Sequence, residues 1–403
     1  MASLRDEVTG KLKACRPQME SFLARLVQIK SENPPGNHYT DCRDLICDEI
    51  TRAGLDPIVR ELEAPSSQER TYAVQTFVGN AKPVVYFHGH YDVVPVFTAQ
   101  QFTPEIKNGK MFGRGTADMK AGLALMLYAA KVASECTPSL KGRIGLTFVP
   151  DEETGGARGS QLLRDHGILV ADAIAMFTPE PTSGRIFNAS RGAISMKITT
   201  HGKAAHVGEH YRGVSAFDEM HAIVNRLIEL RSEIAKRETD FPISPAAARQ
   251  SILLIGGTVQ GGTNFNCVPE QCSFTVDRRF NPEESLEAEE QALLDAIHSA
   301  AKNSPSIEIF QRAPGSASSS DSKPARALAK NAAITLGEQP AFEMGPGLFE
   351  TRFYSQLGIP AYAFGPGLLS VAHGPNEYVD LNLVERYAAI YALTAIDLLT
   401  KAQ

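Results

Sequence analysis

No stretch of this 403-residue chain approaches the roughly 18 consecutive apolar residues that span a bilayer, which excludes a membrane-crossing helix from expectation. The segment Met1 to Lys30 lacks the uninterrupted apolar core of a signal peptide. It reads instead as a charged amphipathic helix with Leu12, Met19, Phe22, Leu23 and Leu26 on its apolar side, and a cytoplasmic location is expected. The cysteines, Cys15, Cys42, Cys47, Cys136, Cys267 and Cys272, form no C-x-x-C pair, which argues against a disulfide framework and a thiolate zinc site alike. A formal net charge of −6 without any Lys/Arg run leaves no electrostatic footprint for nucleic acid or an anionic membrane. What is present is ordinary for a soluble globular protein, with 43% apolar and 21% charged residues. The length exceeds one hydrophobic core, so two domains are expected.

Through the first half, helical patterns alternate with short apolar runs, as in an α/β domain with a largely parallel sheet. Val84 to Phe87 and Ile144 to Val149 read as buried strands, and Asp41 to Gly54 and Asp118 to Ala133 as helices. From Gly192 to Arg312 the rhythm becomes strand, helix, two strands, helix, strand: Ala193 to Thr200, Val214 to Lys236, Ser251 to Val259, Cys272 to Phe280, Ser285 to Ala301 and Ile307 to Phe310. This predicts an inserted α+β domain, left through the small polar segment Ala313 to Asp321. Ala361 to Phe364 then reads as a strand and Leu381 to Leu399 as a closing helix, so residues 1–191 and 313–403 would form one domain and 192–312 the other.

The residues suited to chemistry follow the strands. In Y-F-H-G-H-Y-D-V-V-P, His90 and Asp92 are two apart in extended chain and share a side, so Asp92 is placed to orient a metal-bound imidazole; a surface His and Asp in a loop read almost as well. In M-F-G-R-G-T-A-D-M-K-A-G, Asp118 is either a ligand or a helix N-cap. V-P-D-E-E-T-G-G sets three acids directly after a buried strand. They read either as a solvated turn or, since adjacent Glu152 and Glu153 project in different directions, as one acid on a metal with the other facing a metal-bound water. Glu180 in F-T-P-E-P-T and His373 in V-A-H-G-P-N-E-Y lie in Pro-flanked segments after apolar runs. Taken together His90, Asp118, one acid of that turn, Glu180 and His373 offer two imidazoles and three carboxylates, N/O ligation suited to zinc, with cobalt or manganese as substitutes. Three carboxylates against two dications leave one positive charge, and such metals lower the pKa of bound water from 15.7 to about 7.

These segments, in this order and over nearly the whole chain, resemble the co-catalytic zinc metallopeptidase and deacylase family of acetylornithine deacetylase, succinyl-diaminopimelate desuccinylase, aminoacylase and glutamate carboxypeptidase. The resemblance implies a zinc-peptidase-like catalytic domain and an inserted lid and dimerisation domain. It implies two zinc ions per subunit: His90 and Glu180 on one, Glu153 and His373 on the other, Asp118 bridging, with Glu152 as general base. It also implies a cis peptide after Asp118. In H-G-K-A-A-H, His206 matches a residue that stabilises the oxyanion from a partner subunit in dimeric relatives; by itself it reads as a lid-surface histidine. Asn266, Arg279, Arg352 and the glycine-rich loop at Gly347 match substrate-binding positions, although for each arginine an ordinary salt bridge reads nearly as well.

The chain departs from the family pattern at His210 and Ser215 in the lid, and at Phe349 and Glu350, which stand where a small hydroxyl residue and an Asp are usual. The expected activity is hydrolysis of the amide C–N bond of an N-acyl amino acid or a dipeptide-like carboxylate, by a homodimer with no nucleic-acid or membrane partner. Phe349 and Glu350 motivate a second reading, an aromatic or other non-peptide C–N bond. A third, a catalytically silent binding protein, is disfavoured by the retention of Glu152.

Overall fold

The computed structural model of the protein describes residues 3–62, 70–79, 82–169 and 172–400, so Met1 and Ala2 of the expected first helix lie outside the described residues. The chain packs as two compact units, one of Met1–Asn188, Ala317–Glu343 and Phe349–Gln403, the other of Ala189–Ser316 and Met344–Leu348.

In the first unit a twisted sheet runs in the strand order Ile58–Leu62, Thr71–Val78, Arg143–Val149, Val84–His90, Ala173–Pro181, Ala361–Gly365, Ile186–Ser190. The four central strands, from Arg143–Val149 to Ala361–Gly365, are mutually parallel. The flanking pairs are antiparallel, so the sheet is mixed and parallel only at its centre. Val84–His90 is buried along its whole length, which accounts for its unbroken apolar start. Leu4–Gln28, Ala121–Cys136 and Leu381–Thr400 contribute to one hydrophobic core with the sheet, and the rings of Phe87 and Tyr391 meet edge-on at 5.0 Å. Ala121–Cys136 is apolar on nearly every side because nearly every side is covered. It begins at Ala121 rather than Asp118: the preceding turn, Thr116–Lys120, holds Asp118 at φ −128° and ψ 97°, outside helical space. Asp118 is therefore no N-cap, and its peptide bond to Met119 is cis.

The second unit is a four-stranded antiparallel sheet in the order Ile252–Gly261, Gln271–Phe280, Gly192–His201, Ser306–Ala313. Helices Ala216–Ile234 and Leu286–Ala300 cover it, their N-caps Ser215 and Ser285 accepting from the amides of Asp218 and Ala288. Ile194, Met196, Ile223, Leu227, Phe274 and Leu293 fill its core. These six elements fall on the six segments that periodicity picked out. Among the described residues no helix is long and apolar enough to cross a membrane.

Candidate metal centre

Parallel neighbours end side by side, and here the ends of the central strands carry the acids and imidazoles. His90 closes its strand opposite Val149, so His90 and Asp92 lie beside the turn that bears Glu152 and Glu153. On the other flank Glu180, expected from its flanking prolines in a loop, sits inside the strand Ala173–Pro181. His373 lies beyond the strand Ala361–Gly365, in a loop where it adopts φ 60°. Asp118 comes from the turn before the buried helix. Gly115 enters that turn at φ +82°, where a side chain would be strained, and a Cβ on Gly122 would come within 2.8 Å of Pro179, so only glycine lets the helix approach the strand of Glu180.

Two ligand-competent groups result, His90 with Asp118 and Glu180, and Asp118 with Glu153 and His373; in each group the donor atoms lie within 4.8 Å of one another. Asp118 belongs to both. Its Oδ1 is 3.3 Å from His90 Nε2 and its Oδ2 is 3.1 Å from His373 Nε2. Glu153 Oε2 stands 3.2 Å from the same His373 nitrogen, and Glu180 Oε1 is 3.7 Å from His90 Nε2. Glu152 Oε2 lies 3.9 Å from His90 Nε2.

The hydrogen bonds around the donor set fit a cation. His90 Nδ1 faces the carbonyl of Asp92 at 3.0 Å and must donate to it. In the neutral ring Nε2 then carries a lone pair, which is buried, makes no hydrogen bond and points at three carboxylates. Glu153 Oε1 is buried without a hydrogen bond as well. Lone pairs converging on lone pairs at buried atoms fit a metal. The acidities agree. Burial, followed by the Asp118 and Glu153 carboxylates, pushes Glu180 up to about 7. Burial also raises Glu153, and raises Glu152 well above the usual carboxylate range with help from Glu180, Glu153 and Glu350. Asp118 and Glu153 together push His373 up to about 11, and Asp118 is held low by the two imidazoles despite its burial. Such imidazoles hold a proton only because acids surround them, and a dication answers the same field.

Asp92 acts differently from a simple partner of the histidine. Its carboxylate stands 3.4 Å from His90 Nδ1 but accepts the backbone N–H groups of Glu152 at 3.2 Å and Glu153 at 3.1 Å. Residues inside the motifs, but with no role read from sequence, hold the rest. The buried Glu377 accepts from the amides of Ala117 at 2.9 Å and Asp118 at 3.1 Å and pairs with buried Arg114 at 2.6 Å. Arg114 in turn donates to the carbonyls of His373 and Gly374 at 3.2 and 3.3 Å. The available signal was a charged residue in a glycine-rich stretch beside a ligand.

Arg352, expected as a substrate-binding residue, is buried in the first unit. It is 1% exposed, and its guanidinium donates to the carbonyls of Phe349 at 2.8 Å and Gly155 at 2.6 Å. Phe349 packs on Phe187 and is 8% exposed, while Glu350 is buried against His88 at 2.5 Å. The two departures that motivated an aromatic substrate are thus both packed into the interior. His206, Asn266, Arg279 and Gly347 belong to the second unit. There, exposed His206 pairs in register with Cys267 next to Asn266, whose carbonyl accepts from Val207 at 2.9 Å. Arg279 is occupied by Asp277 at 2.8 and 3.0 Å, and Gly347 is exposed.

Fold and ligand set together define a metal-dependent hydrolase. The profile of peptidase family M20/M25/M40 matches residues 86–397, and the chain belongs to that family. Family peptidases are dinuclear and metal-dependent, and the chain is a metallohydrolase acting on amide bonds. It is 26% identical over 404 residues to a probable succinyl-diaminopimelate desuccinylase of Staphylococcus aureus, covering 94% of this chain and 97% of the relative. Among solved structures it resembles an M20 family metallo-carboxypeptidase of Sulfolobus solfataricus, with a TM-score of 0.76, 18% identity and coverage of 94% and 98%. A dinuclear metal-binding peptidase of the same family from Bacillus subtilis aligns with a TM-score of 0.69, 17% identity and coverage of 97% and 100%.

Proposed function

We propose that the chain is a cytoplasmic two-zinc deacylase that hydrolyses the amide C–N bond of an N-acyl amino acid or a dipeptide-like carboxylate. The observation that carries this reading is Asp118, one oxygen toward each imidazole, in a ring of carboxylates that, among the described residues, has no lysine or arginine ion pair. His90 and Glu180 would hold one zinc, Glu153 and His373 the other, and Asp118 both. Bound there, the metals supply Lewis acidity toward the scissile carbonyl and lower the pKa of water.

The protein's own groups do the rest. Glu152 is buried and its acidity is weakened, which suits a carboxylate that takes the proton of the attacking water and returns it to the leaving amine. Asp92 fixes the backbone from which Glu152 and Glu153 project. By the family resemblance, His206 in a lid formed by the second unit would donate to the developing oxyanion across a homodimer, and Asn266 and Arg279 would meet the substrate's polar groups. The succinyl-diaminopimelate name of the relative favours an N-acyl amino acid over other amides.

Amine release from a panel of N-acyl amino acids, dipeptides and aromatic amides tests this, using metal-stripped protein with and without zinc, cobalt or manganese, beside Glu152→Ala. Release that requires metal and disappears in the variant is the expected result. No release from correctly metallated protein on any amide would overturn it.

A further inference from the structure

The turn that carries Glu152 and Glu153 is held by a residue from a distant part of the chain. Ser31–Asn33, just after the first helix, runs beside residues 91–93: Val93 N–H donates to Ser31 O at 2.9 Å, and Asn33 N–H donates to Val93 O at 2.8 Å. Ser31 Oγ adds a bond to Tyr91 O at 2.7 Å. This fixes the Asn33 side chain, 3% exposed, between Asp92 and the acidic turn. Its amide nitrogen donates to Asp92 Oδ2 at 2.9 Å and to Thr154 Oγ1 at 2.9 Å, with Asp151 Oδ1 further off at 3.4 Å. Thr154, its lone pair taken, passes its own proton to Asp151 Oδ1 at 3.0 Å. The carboxylate that Asn33 anchors is the one accepting the amides of Glu152 and Glu153.

We infer that Asn33 is a positioning residue for hydrolysis, setting Glu152 and Glu153 at once through Asp92 and Thr154. The inference rests on the reading of Glu152 as base and Glu153 as ligand. The chemistry requires an amide at this place. Two donors on one nitrogen satisfy two acceptors, Asp92 and Thr154, and give the chain of bonds a direction that a carboxylate of the same shape would reverse. Partners at this remove from a metal are worth roughly 10- to 100-fold in activity or metal affinity.

The test uses full-length, zinc-loaded protein with Asn33→Ala and the near-isosteric Asn33→Asp. Three quantities are read: kcat and KM on a substrate that the wild type turns over, and deuterium exchange across residues 150–156. The expected result is a kcat lower by about 10- to 100-fold with KM nearly unchanged, the fall being larger for Asn33→Asp, which sets a carboxylate against Asp92 and Asp151. Exchange across the turn should rise in both variants. Wild-type kcat in Asn33→Asp overturns the inference, as does a raised KM at unchanged kcat. A wild type that hydrolyses no amide sinks the hydrolase reading alone; the exchange then decides the positioning role, and unchanged protection of residues 150–156 overturns it.

Discussion

Each unit contains a buried or half-buried knot of acids, and the two are built on opposite rules. In the second unit Glu284 and Glu289 meet Arg278 at 2.7 Å each and Arg237 at 2.9 and 2.6 Å. Burial pushes Glu284 up, but the Ser251 hydroxyl, Arg237 and Arg278 outweigh it and hold its pKa down. In the first unit Glu152, Glu153 and Glu180 are all pushed up, and the cations that face them are imidazoles, themselves suited to bind metal. A knot whose purpose is architecture carries its own counter-ions. One that leaves them out is waiting for a ligand, and that difference, more than the number of acids, separates function from scaffold.

The comparison breaks most severely if Glu152→Ala leaves turnover intact. We expect a fall in kcat of about 10²- to 10⁴-fold. The thermal midpoint should hold or rise, since a buried acid crowded by like charge is removed. Next, Arg278→Met should cost about 3–5 kcal/mol in urea unfolding, because among the described residues it leaves buried Glu289 and half-buried Glu284 with Arg237 as their one cation. A smaller loss would mean that the second knot is as poorly paired as the first. Removing metal with a chelator should abolish turnover and lower the thermal midpoint, and restoring zinc at about a hundredfold over its dissociation constant should return about 2.7 kcal/mol. A calorimetric midpoint indifferent to chelator would remove the distinction. The smallest effect concerns pH. Because Glu284 titrates below its ordinary 4.5 when folded, its stabilisation is complete above that value and is lost as pH falls through the depressed one. Glu284→Gln should flatten the decline of stability with acid, and an unchanged decline in acid-titrated unfolding would place the dependence elsewhere.

The candidate ligands were legible because each sits in a short, chemically odd segment: an acid or imidazole beside glycine or proline, directly after an apolar run. The second unit's elements were legible too, since one face is wet and periodicity reports it. What sequence could not convey depends on long-range burial. Arg352 and Glu350 look like surface or substrate residues until the chain closes over them. Asn33 lies 59 residues from the carboxylate it anchors, and Arg114 260 residues from the Gly374 carbonyl. The antiparallel flanks of the sheet depend on pairing choices that a buried apolar strand does not announce, and the start of the buried helix was misplaced because Asp118 is a good capping residue that here does something else.

Glu377 carries a mechanical consequence. One carboxylate grips the amide of Asp118, and through Arg114 the same carboxylate grips the carbonyl of His373. The two side chains that face each other at 3.1 Å are thus mounted on a common bracket, although they lie 255 residues apart in the chain. Any displacement of that bracket is common to both, so thermal motion shifts the pair together and leaves the gap between them, which a metal would sense, nearly constant.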